Sequence, residues 1–546
     1  MTTQWFEITS PTEREKIAAA AEILRCGGLL AIPTETVYGL GANGLDEEAV
    51  LHIFEAKGRP QDNPLILHIP SADWFERYCE NVPPSAYRLA EEFWPGPLTM
   101  ILPRKKIVPL RTTGGLDTVG MRCPDHAVTR AIIEAAGVPV AAPSANTSGR
   151  PSCTTAEHVR EDMDGKIDGI VDGGACAVGV ESTIIDLTCE PPRLLRPGGL
   201  PLESLREVLG EVAVDKAVTQ KMGEGEKPRA PGMKYRHYAP KAPVTVITGS
   251  PRASALKILA DAPIGAGIIC FSEFVPLFSG TVHDLGASGD KLTQAQHVFD
   301  ALRTFDATAV SEIYAQCPDS AGLGLAVSNR LKKAAGFREI EAREVGTVIG
   351  ITGGTGAGKT AALQALRRMG AEILDCDAEY YEALRSDAAM RAAIGDMFGD
   401  VFAPDGGLDR QKLGKIVFGD ADKLAALDGI VHTYLLRHIA QKIEASDKKL
   451  IGIDAIKVFE SGLSSICDLT VGVTAAEETR VRRIMLRDGI SEEYARARIA
   501  AQRSEDYYRE RCGAIFVNDY ASEAEAIDAV QRFFEELEEL HNGKEE

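Results

Sequence analysis

The 546-residue chain lacks the features that mark membrane-spanning, secreted and disulfide-bonded proteins. No stretch approaches the roughly 20 apolar residues that a membrane helix needs. The first residues lack the basic and apolar regions of a signal peptide. The eleven cysteines are scattered and form no Cys-x-x-Cys pair, which favours free thiols over disulfides or a zinc site. We therefore expect a cytoplasmic protein with no membrane partner.

Basic residues are also in deficit. The chain has 80 acidic and 60 basic residues, with a formal net charge of −20 at pH 7. This balance argues against direct, stable nucleic-acid binding, although it leaves room for a local basic pocket. Internal repeats and low-complexity runs are absent from the sequence. At about 150 residues per domain, the length predicts three or four domains.

One segment carries a complete phosphate-binding pattern. Residues 353–360, GGTGAGKT, match G-x-x-x-x-G-K-[ST]. The apolar run at 347–352 predicts a strand before this loop, and residues 361–369 predict a helix after it. Loop amides and Lys359 suit phosphate oxygens, and Thr360 suits Mg²⁺. We expect an ATP site at Gly353, Gly354, Thr355, Gly356, Ala357, Gly358, Lys359 and Thr360.

Alternating helix and strand signals predict an α/β multidomain protein. Residues 10–13, SPTE, are typical of a helix start, and Gly27-Gly28 of its end. A Gly-, Pro- and charge-rich stretch near residues 223–240 indicates a linker. We therefore predict domains at 1–205, 243–340 and 345–546, with a linker or lid at 206–242.

Four segments of the first domain offer small hydroxyls, amides and cations within or after predicted strands. They cover residues 33–41, 57–65, 143–149 and 181–186. A single such segment is more often a capped turn. Four together predict a polar cavity suited to an anion.

These segments resemble the YrdC-like threonylcarbamoyl-AMP synthases. The matching motifs are K-x-R, S-x-N and S-T-x-x-D, at Lys57 and Arg59, Ser144 and Asn146, and Ser182, Thr183 and Asp186. The resemblance covers about residues 10–200, and residues 230–240 with the following domain are similar to the two-domain members. It implies a YrdC-like α/β twisted-sheet domain followed by a small α/β domain of open role.

The resemblance also implies a reaction. The amine of L-threonine takes up CO₂ or bicarbonate, and the carbamate attacks the α-phosphate of ATP with release of pyrophosphate. The product then serves threonylcarbamoyladenosine modification of tRNA through downstream threonylcarbamoyl-transfer proteins. Such chemistry needs cations where charge builds on the leaving group.

The resemblance assigns three sets of residues. Lys57 and Arg59 are the catalytic candidates. ATP contacts are implied at Arg59, Asn63, Thr118, Ser144, Asn146, Ser152, Arg196 and Tyr235, with Tyr235 on the lid. Threonine contacts are implied at Thr36, His68, Arg122, Ala142 and Ser182. An RNA-binding module with a concave basic surface is the alternative, against which the acidic composition weighs.

Carboxylates follow two predicted strands near the phosphate-binding loop. Asp375 and Asp377 end one strand and Asp454 ends another. Strand ends in open α/β sheets face the ligand crevice, so Asp377 is a candidate base for an acceptor hydroxyl. Asp454 could order Mg²⁺ or support the loop, and a helix cap is the alternative for each aspartate. A guanine-recognition N-K-x-D motif does not follow the loop, which argues against a GTPase.

Residues 347–540 resemble dephospho-CoA kinase, a P-loop kinase with a doubly wound parallel sheet. The matching residues include 351–360, Asp375, Asp377, 408–410, 417–418, His432, 459–460, Arg483, Arg487, Gln502 and Asn518. The implied reaction transfers the γ-phosphate of ATP to the ribose 3′-hydroxyl of dephospho-CoA.

Three positions depart from this kinase family's pattern. Ile456-Lys-Val458 replaces Pro-Leu-Leu, Thr433 replaces a proline, and Cys512-Gly513 replaces Ala-Asp. The loop and the carboxylates are intact, so we expect an active kinase that uses ATP and Mg²⁺. A degenerate kinase kept as a scaffold is the non-enzyme alternative.

Overall fold

A computed structural model describes residues 2–220, 228–233, 237–403 and 407–542, with side chains up to residue 537. Tyr235 lies outside this part of the chain. The chain packs as two compact units, one of residues 1–251, 265–272 and 281–341, the other of residues 252–264, 273–280 and 342–546. In the described ranges, no helix is long and apolar enough to cross a membrane. The predicted domain boundaries stay a prediction.

The first unit contains a mixed sheet that has eleven strands among the described residues. Its order is β1-β8-β2-β3-β7-β4-β6-β5-β9-β10-β11. The strands are β1 (Gln4–Glu7), β2 (Leu30–Ile32), β3 (Gly39–Asn43), β4 (Ile66–His68), β5 (Leu98–Pro103), β6 (Thr118–Arg122), β7 (Val140–Ala141), β8 (Gly169–Asp172), β9 (Thr183–Asp186), β10 (Arg193–Arg196) and β11 (Ala213–Val214). The helices are α1 (Arg14–Arg25), α2 (Glu47–Lys57), α3 (Phe75–Tyr78), α4 (Pro84–Phe93), α5 (Ala127–Ala136), α6 (Ala156–Met163) and α7 (Leu202–Leu209).

Local sequence explains how two helices lie beside the sheet. Asp46 caps α2 by accepting from the amides of Glu48 and Ala49, and Gly58 ends the helix in the left-handed conformation at φ 62°. Lys57 is therefore the last helical residue. Helix α1 begins at Arg14, after the predicted Ser10 cap. The Glu13 carboxylate accepts from the Thr9 and Ser10 amides, and Ser10 Oγ accepts from the Thr12 amide, so the predicted capping residues form a turn that precedes the helix.

A second sheet of the first unit is entirely parallel. Its strands run in the order β14-β13-β15-β12-β16. They are β12 (Val244–Thr248), β13 (Gly267–Cys270), β14 (Val282–Asp284), β15 (Ile313–Gln316) and β16 (Glu339–Glu341). The helices of this region in the first unit are α9 (Lys291–Thr304) and α10 (Gly324–Ala334), while α8 (Pro251–Asp261) belongs from Arg252 onwards to the second unit.

The second unit is built on a parallel sheet in the order β18-β19-β17-β20-β21. The strands are β17 (Thr347–Thr352), β18 (Glu372–Asp375), β19 (Leu450–Asp454), β20 (Leu469–Thr474) and β21 (Ala514–Val517). The helices are α11 (Lys359–Arg368), α12 (Cys376–Ser386), α13 (Ala388–Phe398), α14 (Arg410–Val417), α15 (Ala421–Ala445), α16 (Glu477–Asp488), α17 (Glu492–Ala500), α18 (Glu505–Arg511) and α19 (Glu523–Asn542). The α/β multidomain prediction and its parallel P-loop sheet are confirmed.

Candidate functional sites

A small polar cavity in the first unit gathers most of the predicted synthase residues. Its volume is about 60 Å³, and residues 231, 232, 237 and 238 of the linker form part of its wall. The predicted residues that line it are Lys57, Arg59, His68, Arg122, Ala142, Ser144, Asn146, Ser182 and Arg196. Four others do not line it, namely Thr36, Asn63, Thr118 and Ser152.

Lys57, of the K-x-R motif, forms hydrogen bonds with the loop that carries the S-x-N motif. Its Nζ donates to the backbone carbonyls of Ser144 and Asn146, and its own carbonyl accepts from the Ser148 amide at 2.9 Å. Burial, with a smaller effect of Arg59, lowers the pKa of Lys57 to about 7. The end of α2 and the 144–148 loop therefore meet at one edge of the cavity.

Arg122, on β6, contributes the cation nearest the predicted threonine contacts. Its Nη2 donates to Glu35 Oε1 and to Thr36 Oγ1, each at 2.8 Å, and both members of the ion pair are buried. Arg122 Nε has no hydrogen-bond partner among the described residues. Thr36 thus acts on the cavity through Arg122, and the unpaired Nε of the guanidinium suits a carboxylate oxygen.

His68 faces Arg122 across the β4–β6 pair, where the two residues are in register. Burial first, and then the charge of Arg122, lower the pKa of His68 to about 3. The ring is therefore neutral at pH 7, and it lines the cavity beside Arg122 without adding charge, with Nδ1 at 3.2 Å from the Ile66 carbonyl.

Arg196 and Ser182 are joined by hydrogen bonds in the cavity wall. Arg196 Nε and Nη2 donate to the Ser182 carbonyl at 3.1 and 2.9 Å. The Ser182 hydroxyl lies 2.8 Å from Thr99 Oγ1. Burial lowers the pKa of Arg196 to about 10, so the side chain keeps its charge at neutral pH. The S-T-x-x-D motif is thus fixed to a cation within the cavity wall.

Two buried glutamates at the cavity were missed as functional residues. Glu35 pairs with Arg122, and Glu181 accepts from Ser152 Oγ at 2.7 Å. Both lie in polar segments that the sequence singled out. The sequence offered one signal for these two residues. Each is a charged residue directly before a predicted site residue, Thr36 or Ser182.

The second unit contains a larger cavity of about 640 Å³ at the carboxyl ends of its strands. Its polar lining includes Lys359, Asp375, Asp377, Asp428, His432, Asp454, Lys457 and Glu460, and its apolar lining includes Leu427, Val431, Leu435, Leu436, Ile456 and Leu463. Asp375 and Asp454 are in register on the paired strands β18 and β19. The lysine of the glycine-rich loop, several carboxylates and an apolar wall therefore meet in one cleft.

Asp375, at the end of β18, and Asp377, at the start of α12, have different roles. Asp375 caps α12 by accepting from the amides of Asp377 and Ala378 at 2.9 and 3.2 Å. Asp377 lies in the first turn, lines the cavity and caps nothing. The helix-cap alternative is therefore correct for Asp375, and Asp377 stays the candidate base.

The phosphate-binding loop joins β17 to α11 as predicted. Gly353 has φ 145°, and a Cβ atom there would lie 2.2 Å from the Val473 carbonyl oxygen, so only glycine fits. Lys359 Nζ lies 3.4 Å from the Gly353 carbonyl and 3.9 Å from Asp454 Oδ1. Both contacts keep the ammonium at the mouth of the loop.

Side chains beyond the sheet support this loop. Arg483 Nη1 donates to the carbonyls of Gly356 and Ala357, each at 3.3 Å. Gln502 accepts from the Thr355 amide at 2.8 Å, and Arg480 donates to the Thr355 carbonyl at 3.0 Å. The predicted Arg483 and Gln502 thus reach the loop, and Arg480 joins them.

Asp454 and Thr360 are suited to hold a divalent cation. Asp454 Oδ1 is buried without a hydrogen-bond partner in the described part of the chain. Burial raises the pKa of Asp454, Lys359 opposes this, and the neighbouring Asp375 and Asp377 add to it. Oxygen ligands with excess negative charge are those Mg²⁺ prefers.

Comparisons with known proteins agree with the order of the two sites. Family models match in succession: "Telomere recombination" at residues 22–198, "Threonylcarbamoyl-AMP synthase, C-terminal domain" at 200–336, and "Dephospho-CoA kinase" at 347–524. The threonylcarbamoyl-AMP synthase of Pyrococcus abyssi is 50% identical over 341 residues, covering 60% of this chain and 96% of that protein. The dephospho-CoA kinase of Streptomyces avermitilis is 42% identical over 156 residues, covering 28% of this chain and 76% of that protein.

The chain belongs to both of these families. A crystal structure of Sua5 from P. abyssi complexed with L-threonine matches at 48% identity and TM-score 0.58, covering 62% of this chain and all of that chain. We call residues 22–336 the synthase part and residues 347–524 the kinase part. The chain is an ATP-using transferase with two enzymatic activities. One belongs to tRNA modification and the other to coenzyme A biosynthesis. Membership of two enzyme families disfavours the RNA-binding module and the inactive scaffold.

Proposed function

We propose that the synthase part makes L-threonylcarbamoyladenylate from L-threonine, bicarbonate or CO₂, and ATP. The threonine nitrogen forms a C–N bond to the carbon of CO₂ and gives up a proton, or it forms this bond to bicarbonate with loss of water, and a carbamate results. A carbamate oxygen then bonds to the α-phosphorus as the bond to the β-phosphate oxygen breaks, and pyrophosphate leaves. The observation that carries this proposal is the convergence of Arg59, Arg122 and Arg196 on one cavity beside Lys57.

Each cation has a separable role in this proposal. Arg122 binds the threonine carboxylate with its unpaired Nε, with His68 and Ser182 beside it. Lys57 and Arg59 take the phosphate groups, with Ser144 and Asn146 as polar contacts. Arg196 balances charge near the adenylate. Asn63, Thr118 and Ser152 contact ATP outside the present cavity wall.

ATP needs more room than the present cavity offers. A volume of about 60 Å³ is far below the roughly 300 Å³ of a typical ligand site. Pro231, Gly232, His237 and Tyr238 close the cavity from the linker. We infer that this linker segment acts as a lid over the nucleotide.

Pyrophosphate release tests the synthase proposal. We expect release that depends on both threonine and bicarbonate, and that falls by at least about 100-fold when Lys57→Ala and Arg59→Ala are combined. Arg88→Ala, an exposed cation on α4, is the matched control and keeps full activity. Release without threonine, or unchanged release in the double variant, contradicts the assignment. The product passes to tRNA through downstream threonylcarbamoyl-transfer proteins.

We propose that the kinase part phosphorylates the 3′-hydroxyl of dephospho-CoA. Asp377 accepts the hydroxyl proton as the oxygen attacks the γ-phosphorus and ADP leaves, while Lys359 holds the phosphates. The long apolar wall of Leu427, Val431 and Leu435 suits the acceptor's extended arm. Thr360 and Asp454 would hold Mg²⁺, which neutralises phosphate charge when bound.

Formation of CoA from dephospho-CoA and ATP tests this proposal. Lys359→Ala removes the phosphate cation and is expected to abolish turnover. Lys415→Ala, an exposed lysine on α14, serves as the matched control. Retained ATP binding without CoA formation in the unaltered chain contradicts a working kinase.

A further inference from the structure

A fully buried ion pair joins α10 to the wall of the synthase cavity. Arg330, with no exposed surface, donates from Nε to Glu181 Oε2 at 2.7 Å. The two residues are 149 positions apart, and Glu181 lines the cavity immediately before Ser182. The pair therefore links a helix that accompanies the second sheet to a residue next to the S-T-x-x-D motif.

Glu181 is held from both sides. Its other oxygen, Oε1, accepts from Ser152 Oγ at 2.7 Å. Burial raises the pKa of Glu181, but Arg330 and then Arg196 outweigh it and lower that pKa to about 2. The titratable and charged groups that face this carboxylate are Arg196, His237, Tyr238, Arg330 and Lys333. Glu181 is therefore an oriented anion within a cationic wall.

Arg330 is itself fixed before any ligand binds. Its Nη1 donates to Asn329 Oδ1 at 2.9 Å, and Asn329 Nδ2 donates to the Val218 carbonyl at 2.8 Å. The guanidinium carbon lies 5.6 Å from the centre of the Tyr238 ring. A planar guanidinium held at several points imposes one orientation on its carboxylate partner.

Helix α9 secures the other end of the Ser152–Glu181 hydrogen bond. Arg303, also buried, donates from Nη2 to the Pro151 carbonyl at 2.7 Å and to Asp162 Oδ2 at 3.2 Å. The backbone that carries Ser152 is thus fixed by α9, while the carboxylate is fixed by α10.

We propose that Arg330 is a positioning residue for the synthase reaction, acting through Glu181 on the neighbouring wall residues Ser182 and Arg196 and on Ser152, which bonds to Glu181. By holding Glu181 ionised and in one orientation, it sets the charge and position of the groups that receive threonine and ATP. This gives the region of α9 and α10 a direct part in catalysis. The proposal rests on the proposed synthase function.

The test uses the full chain and measures pyrophosphate release against threonine concentration. In Arg330→Met we expect kcat/KM to fall by about 100-fold, since small displacements of a reactive geometry cost this much. Arg330→Lys restores the charge without the planar fork and should lose about 10-fold. CoA formation by the kinase part of the same molecules is the internal control and should not change.

A pH profile separates positioning from stability alone. Arg330 is the largest of the groups that lower the pKa of the buried Glu181, so without it that pKa rises and residual activity should increase with pH more steeply than in the unaltered chain. Arg330→Met combined with Glu181→Gln removes this rise. A merely structural ion pair predicts a lower melting temperature with no such pH-dependent limb.

The possible results separate the proposed synthase function from the positioning role of Arg330. No pyrophosphate release by the unaltered chain contradicts the proposed synthase function. An active unaltered chain with an equally active Arg330→Met variant overturns the positioning role alone. Should Arg330→Met fail to fold, Arg330→Lys decides: reduced kcat/KM at an unchanged melting temperature supports the role, and unchanged kcat/KM refutes it.

Discussion

Arg122 Nη2 lies 2.8 Å from Glu35 Oε1, and both side chains are buried beside the synthase cavity. The pair uses one nitrogen of the guanidinium and leaves Nε without a partner among the described residues. Burying a cation with a single carboxylate partner is favourable only when that partner stays in place. Glu35 thus orients the group that we propose binds the threonine carboxylate.

Glu35→Gln is expected to raise the KM for threonine by about 10-fold, with a smaller effect on kcat. The amide keeps the size of the side chain but removes the charge that orients Arg122. Steady-state pyrophosphate release at saturating ATP measures both constants. Glu134→Gln, at an exposed position on α5, is the matched control. An unchanged KM in Glu35→Gln would show that Arg122 is positioned without this pair.

His68 predicts a pH dependence of stability. Its pKa is about 3 in the folded protein and 6.5 as a reference, so only the unfolded form binds a proton between these values. The folded state therefore loses stability as pH falls below 6.5. Between pH 7 and pH 5 this loss is about 2 kcal/mol at this one site.

His68→Gln should reduce that loss by the same amount. Denaturant unfolding at pH 7 and pH 5, followed by far-ultraviolet circular dichroism, measures it. His52→Gln alters an exposed histidine on α2 and should leave the loss as in the unaltered protein. An equal acid loss in His68→Gln and in the unaltered chain is the contrary result.

The two aspartates after β18 should respond differently to the same substitution. Asparagine caps helices about as well as aspartate, so Asp375→Asn should leave the melting temperature nearly unchanged. Asp377→Asn removes the proposed base and should lower kcat by about 100- to 10,000-fold while ATP binding persists. CoA formation and nucleotide affinity, measured on both variants, provide the comparison. Comparable kcat values for Asp377→Asn and the unaltered chain would exclude the base role.

Local patterns predicted the kinase part well. Strand β17 covers the predicted residues 347–352, the glycine loop follows, and Asp375 and Asp454 meet at the ends of paired strands. Each of these features is set by short-range rules: an apolar run, glycines that need unusual backbone angles, and carboxylates at strand ends. The predicted start of α1 was wrong, because Ser10 and Glu13 bond within a turn that precedes the helix.

Long-range pairs could not be predicted in this way. Arg330 and Glu181 lie 149 residues apart, and no periodicity or motif links them. Arg480 bonds to the Thr355 carbonyl across 125 positions, and no sequence motif indicated this contact. Such contacts depend on how complete elements pack, which a local pattern does not encode. The resemblance supplied the residues of the synthase site, and the structure added the glutamates that hold them.

We propose that one chain carries two independent ATP sites. Binding stoichiometry of a non-hydrolysable ATP analogue, with threonine and bicarbonate present, tests it most directly. We expect two sites per chain. The number should fall to one in Lys359→Ala, and also to one in the combined Lys57→Ala and Arg59→Ala variant. A single site that disappears in Lys359→Ala would contradict the presence of two ATP sites, because the synthase cavity would then bind no ATP.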